Sequence, residues 1–312
     1  MKKFNHKLIA KDLRFKGRMI STMLKSYSPK KIAFFEKATS FIYAGRARSR
    51  AFIYKQIKIL REDGSKLRVC IYKPKDKETQ IKACVVWIHG GGYAMGEPEQ
   101  DVSFIKEFTS KGCVVVAPDY IKSVIKPFPA PFNDCYHALL WAKENCAKLG
   151  NASGKIIVGG DSAGGGLCVA VCLKARDENS VKIDLQIPIY PMISYKDTES
   201  SKDNCAPVWN TKSNHLAWKM YLGENTDNVS KYASPSLETN YKNLPPAITY
   251  VGNLDPFKDE TVEYINNLKK ANIDAEVLVL EGAYHGFDIV AKKSNSAIEA
   301  RKFLNNHLSK YL

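Results

Sequence analysis

Several things are missing from this chain of 312 residues, and each absence removes a class of protein. No stretch approaches the roughly 18 consecutive apolar residues of a membrane-crossing helix, so no transmembrane span is expected. The basic start, "MKKFNHKLIAKDLRFKGRMI", is broken by charges before any long apolar run develops, which argues against a secretory leader. The eight cysteines include no Cys-x-x-Cys pair and are scattered, several inside apolar runs. That pattern points away from a zinc site and toward free thiols in a reducing cytoplasm. The Gly-x-Gly-x-x-Gly signature of a dinucleotide loop does not occur either. Internal repeats and low-complexity segments are missing too. Acids are nearly missing from one end: residues 1–60 hold 16 Lys or Arg but only Asp12 and Glu36. Almost all of the formal charge of +15 therefore sits on an N-terminal arm, and the rest of the chain is close to neutral. The arm could meet an anionic lipid surface or a nucleic acid, or serve as a solvated helical cap. No nucleic-acid-binding module accompanies it, so nucleic acid is not an expected partner.

What is present is a regular alternation. "IYKQIKIL" and "LRVCIYKP" are β-rich runs joined through a turn at Asp63-Gly64. "IKACVVWIH" and "GCVVVAPDY" are nearly continuous apolar runs, as strands of a parallel sheet covered on both faces should be. Helical spacing follows in "EQDVSFIKEFTSKG" and "FNDCYHALLWAKENCAKLG", then the strands "KIIVGG", "LQIPIYP", "PPAITYVG" and "AEVLVLEG", with helices at "PFKDETVEYINNLKKAN" and "SNSAIEARKFLNNHLSKYL". Such alternation predicts an α/β fold with a mostly parallel, doubly wound sheet. Residues 1–53 read as a separate helical segment, with apolar stripes in "ISTMLKSYS" and "KKIAFFEKATSFIYAG", and residues 54–312 as the main domain. An irregular excursion near 194–225 lies outside the sheet pattern.

Two glycine-rich stretches carry the chemistry. "VGGDSAGGG" places Gly160-x-Ser162-x-Gly164 between a strand and an apolar helix, the context of a nucleophile elbow. A serine hydroxyl needs a neighbouring base to take its proton. Of six histidines, His285 in "EGAYHGF" follows a strand directly, where reactive groups of open α/β sheets gather. His307 and His137 fall on helix faces, and His215 falls in the irregular excursion. The orienting acid should lie between serine and histidine in the chain. Asp255 in "ITYVGNLDPFKDE" sits at a strand end, with Asp259 and Glu260 as helix-dipole residues behind it; Asp255 could equally cap that helix. The second stretch, "HGGGYAMG", also follows a strand. Its glycines allow backbone to approach a reacting carbonyl, so the N–H groups of Gly91, Gly92 and Ala163 are the candidate oxyanion donors. His89 reads as a brace for that loop.

With His89-Gly90-Gly91-Gly92, Gly160-Asp161-Ser162-Ala163-Gly164, Asp255-Pro256 and His285-Gly286-Phe287 in this order, residues 55 to about 309 resemble the hormone-sensitive-lipase-like esterases of the α/β-hydrolase fold. The resemblance implies a catalytic triad of Ser162, Asp255 and His285. It further implies hydrolysis of short- to medium-chain acyl esters without a cofactor, and a cap built from the N-terminal segment and the 194–225 excursion. A deacetylase or amidase with the same triad, and a non-catalytic ligand-binding homologue, are the rival readings. One departure stands out. After Asp119-Tyr120 such enzymes usually read Arg-Leu-Ala-Pro-Glu, and here Ile121-Lys122-Ser123-Val124-Ile125 takes that place, which puts a supporting polar network in doubt. In the cap reading, Met19, Met23, Leu24, Phe34, Phe35, Phe41 and Tyr43 form a stripe that covers the site. In the alternative, the same basic segment is a peripheral membrane contact.

Overall fold

The computed structural model describes residues 4–23, 28–47, 49–224 and 227–312. Leu24 and the side chains of Met23 and Phe35 lie outside the described residues. Eight strands form one sheet: β1 (Phe52–Leu60), β2 (Lys66–Pro74), β3 (Ala83–Ile88), β4 (Cys113–Pro118), β5 (Ile156–Asp161), β6 (Leu185–Ile189), β7 (Ala247–Gly252) and β8 (Ala275–Leu280). Their order is β1-β2-β4-β3-β5-β6-β7-β8. β1 and β2 are an antiparallel hairpin, β2 meets β4 antiparallel, and every later pairing is parallel. Ten helices accompany them among the described residues. They are α1 (Lys11–Met23), α2 (Pro29–Tyr43), α3 (Val102–Ser110), α4 (Ala130–Glu144), α5 (Cys146–Leu149), α6 (Ala163–Asp177), α7 (Thr211–Leu222), α8 (Lys258–Lys270), α9 (Phe287–Val290) and α10 (Asn295–Leu308).

The continuous apolar strands follow from burial on both faces. In β3, Cys84, Val86 and Ile88 face Leu139 of α4 and Leu167 of α6, while Val85 and Trp87 face Phe104 and Phe108 of α3. Alternate side chains of one strand thus feed two cores, so neither set can be polar. The same strand order places the site. β4 lies on one side of β3 and β5 on the other, with Ile88 registered against Gly160. The loops leaving β3 and β5 therefore emerge side by side where the winding reverses, the crevice in which α/β sheets bind ligands.

Two local expectations are revised. Of the helix foreseen over residues 20–28, residues 20–23 close α1 (Lys11–Met23), which begins earlier than expected, and residues 24–27 lie outside the described residues. Ser28 instead caps α2, accepting from the Lys31 amide, with Pro29 in the first turn where its missing N–H costs nothing. The excursion near 194–225 is not wholly irregular, since it contains α7, capped by Asn210.

The N-terminal segment docks through its other face from the one expected. Ile9, Leu13 and Ile32 are buried, whereas Met19, Phe34, Phe41 and Tyr43 of the expected covering stripe are 48%, 68%, 75% and 41% exposed. α1 lies on the loop after β8 and on α10. Ala10 N–H donates to the Gly282 carbonyl (3.0 Å), Lys16 Nζ to the Val290 carbonyl (2.7 Å), and Asp12 accepts from the Ser296 amide (2.9 Å). No helix among the described residues is long and apolar enough to cross a membrane.

Candidate active site

Ser162 is the residue between β5 and α6, at φ 56°, ψ −120°, a conformation that an L-residue holds only when its surroundings enforce it. The surroundings are glycines. A Cβ on Gly160 would drive into the Gly164 carbonyl, and one on Gly164 into the Ile88 carbonyl. Strand and helix can therefore close around the turn only with hydrogen at both positions. Ser162 is nearly buried, and its Oγ lies 2.8 Å from Nε2 of His285.

His285 is carried by the loop after β8, and its Nδ1 lies 2.7 Å from Oδ2 of Asp255 on the loop after β7. Asp255 is fully buried, and its other oxygen accepts from the Phe257 amide at 2.9 Å. The carboxylate thus pins the turn into α8 and orients the imidazole at once. Its two readings from the sequence describe one residue. The ring of His285 is held edge-on by Tyr190 (centroids 4.9 Å apart) and Phe257 (5.0 Å). The rejected acids are elsewhere. Asp259 accepts from the Ser200 amide and pairs with Lys258. Glu260 accepts from the amides of Ile193 and Ser194, so it anchors the start of the 194–225 excursion.

The loop after β3 stands beside this row. Gly91 and Gly92 have φ of 127° and 60°, and the Gly91 carbonyl accepts from Ala94 and Met95, closing a tight turn. Gly90 N–H donates to Asp161 Oδ1 (2.9 Å), which ties the loop to the residue before Ser162. Ala163 opens α6, so its N–H is among the helix's first donors, which have no intrahelical acceptor. Above the loop, a Cβ on Gly92 would stand 2.5 Å from Trp209 and 3.5 Å from Ala217 of α7. Trp209, 6.3 Å from the His285 ring, is therefore the aromatic that roofs the site. Tyr93 and Trp218 pack instead with Tyr221, and Tyr284 lies against Gly17 of α1. Gly91→Ala should be far more harmful than a surface glycine change, because its Cβ would enter the Met95 carbonyl. The expected loss in kcat is on the order of 10²–10³, that of one misplaced oxyanion donor, with KM for a small ester little changed. Steady-state kinetics of the folded variant would check this.

His89 braces the loop as expected, and its own support includes Lys122, which nothing in the surrounding sequence singles out. His89 stacks on Tyr120 (4.3 Å), its Nδ1 is 2.8 Å from the Gly90 carbonyl and its Nε2 3.3 Å from Lys122 Nζ. A lysine ammonium can only donate, so Nε2 is the acceptor and Nδ1 carries the hydrogen given to Gly90. Burial and the Lys122 charge push His89 well below its ordinary pKa, so it stays neutral in this role. Lys122 also donates to Asp119 (2.8 Å) and to the Tyr120 carbonyl (2.8 Å), and Asp119 is bridged to Arg68, which holds Glu97 and Glu99. Although burial pushes Asp119 up, Lys122 and Arg68 hold it below the ordinary carboxylate value. The polar network that Ile121 and Ile125 left in doubt is therefore present, built on a lysine one position later. Behind the loop, burial and Asp101 push the Asp161 carboxyl well above its ordinary value. Among the described residues, no group of three or more His, Cys, Asp or Glu could hold a metal.

Residues 85–289 match the family described as the alpha/beta hydrolase fold. An arylesterase of Saccharolobus solfataricus is 31% identical over 239 residues, which cover 75% of this chain and 76% of that protein. Among solved structures, a bacterial heroin esterase superposes with a TM-score of 0.85 at 28% identity, covering 96% of this chain and 98% of the other. A hyperthermophilic esterase from the archaeon Pyrobaculum calidifontis gives 0.85 and 28%, covering 96% and 97%. With an eight-stranded, mostly parallel sheet and this loop arrangement, the chain belongs to the α/β-hydrolase family, in its hormone-sensitive-lipase-like branch of carboxylic ester hydrolases.

Proposed function

We propose that this chain is a serine carboxylesterase acting on short- to medium-chain acyl esters. The observation that carries the reading is the unbroken row Ser162 Oγ–His285 Nε2 (2.8 Å), His285 Nδ1–Asp255 Oδ2 (2.7 Å). In the mechanism, His285 takes the Ser162 proton as Oγ attacks the ester carbonyl, and Asp255 stabilises the imidazolium. The oxyanion is received by the N–H groups of Gly91, Gly92 and Ala163. His285 then protonates the departing alkoxide, leaving an acyl group on Ser162. Water, deprotonated by the same imidazole, releases the acid and restores the serine. No cofactor takes part in these steps.

The limit on acyl length rests on Trp209. Its ring stands directly over Gly92, so a long acyl chain bound across that loop has to displace an indole. Trp209→Ala should raise the ratio of kcat/KM for octanoate over acetate by at least tenfold, within the roughly 10–200-fold that one missing or added methylene commands in a fitted pocket. A panel of p-nitrophenyl esters from acetate to palmitate tests both statements. Highest turnover on palmitate in the parent enzyme would overturn the length assignment, and higher kcat/KM on matched amides would favour the amidase reading.

We assign the cap to residues 1–53 together with the 194–225 excursion, over a catalytic body spanning 54–312. Trp209 and α7 supply its roof, and Ala10, just before α1, braces the His285 loop through Gly282. Six of the eight thiols are buried and none is paired, which fits a reducing compartment such as the cytoplasm.

A further inference from the structure

α2 has two apolar faces, and only one of them turns toward the core. Its inward face carries Ile32, buried to 1% exposure. At about 100° per residue, Phe34 and Phe41 fall on a single line on the other side, and both are largely exposed. Lys31 and Lys37, three positions before and after Phe34, flank that line on its two sides, and both are exposed. Ile42, about 80° around the helix from Phe34, widens the exposed apolar surface, and Arg46 stacks over Phe41 at 5.2 Å. The end of α2 is tied to the body by Gly45 N–H donating to Glu99 at 2.7 Å. Gln56 of the edge strand β1 lies against Gly45, on the same strand face as the exposed Lys58. The basic and apolar surface therefore runs from the helix onto the sheet edge. Neither acid of residues 1–60 interrupts it: Asp12 is bonded to Ser296, and Glu36 projects about 200° around the helix from Phe34.

We propose that this face seats the enzyme on an anionic lipid surface, with Phe34 and Phe41 entering the headgroup region and the flanking lysines reaching the phosphates. Lysines beside an apolar stripe bury their stems and keep the ammonium at the polar boundary, which suits a bilayer interface. A second copy of the chain fits poorly, since it would bring the same positive face against itself. Closure of α2 over Ser162 is disfavoured because Ile32 already turns the opposite side inward. The attachment would place the enzyme where apolar esters partition. It is independent of the esterase reading, and inactive Ser162→Ala protein should bind as well as the parent.

The test is co-sedimentation of the full chain with vesicles of equal parts phosphatidylcholine and phosphatidylglycerol. Binding at low salt is expected, falling at least about tenfold in high salt and on pure phosphatidylcholine. The Phe34→Ser/Phe41→Ser and Lys31→Gln/Lys37→Gln double variants should each lose at least about tenfold in partitioning. Their kcat/KM on p-nitrophenyl acetate should be unchanged, which shows that the fold survives. Absent binding, binding indifferent to salt, or binding that survives either double substitution would overturn the proposal. So would a concentration-dependent dimer that Phe34→Ser/Phe41→Ser dissolves, or a changed KM for soluble esters without any vesicle binding.

Discussion

Ser162→Ala removes covalent labelling by an organophosphonate and lowers ester turnover by about 10⁶-fold, the scale on which a coupled nucleophile and base fail together. The fold should be unaffected. Alanine keeps the Cβ, and the strained turn is held by the amide of residue 162 donating to the Ile189 carbonyl and its carbonyl accepting from Gly166 and Met192, none of which involves Oγ. Thermal denaturation and far-UV circular dichroism superimposable on the parent are therefore part of the expected result. A residual rate above that of water, roughly 10³-fold, should persist because the loop after β3 still offers its donors. Labelling that survives the substitution would remove Ser162 from the mechanism.

Asp255→Asn lowers kcat by about 10⁴-fold, while Asp259→Asn stays close to the parent. The reason is a proton count. The ionised carboxylate accepts from His285 Nδ1, which leaves Nε2 free to take the serine proton. An asparagine can turn its amide toward the ring, forcing Nδ1 to accept and placing the ring hydrogen on Nε2, the wrong nitrogen for a base. Asp259 has no such connection, since its carboxylate is committed to Ser200 and Lys258. Measuring kcat for both variants on one small ester decides the matter. A larger loss at Asp259 would show that the acid has been misassigned.

Seven of the eight strands were legible because each is either an apolar run fed by two cores or a member of a hairpin with a glycine turn, as at Asp63-Gly64, and the edge strand β8 was legible by its β-rich run alone. Ser162, Asp255 and His285 were legible for a related reason: each stands just past a strand, where the chain has few ways to turn. What could not be read was anything decided by distance across the fold. Lys122 looks like a solvated lysine in "YIKSVIKP", and only the approach of β3 and β4 brings it to His89. Trp209 sits in a stretch without periodicity, and its place over Gly92 depends on where Glu260 fixes the start of the excursion, at Ile193 and Ser194. The stripe on α2 failed in the opposite way. Helical spacing identifies which residues share a face, but it does not say which of two apolar faces will find the core, and Ile32 won.

The docking of α1 on the loop after β8 has a consequence for synthesis. Lys16 and Val290 are 274 positions apart, so the surface that receives the helix leaves the ribosome long after the helix does. At about 5–20 residues per second, Ile9 and Leu13 wait on the order of tens of seconds with no partner surface in existence. During that interval a strongly basic, apolar segment is free while the rest of the chain is still being made. Anything negatively charged that lies near the translating ribosome competes for it before the fold does. The seat of the first helix is therefore contested during translation, and is secured only when the loop that carries His285 arrives.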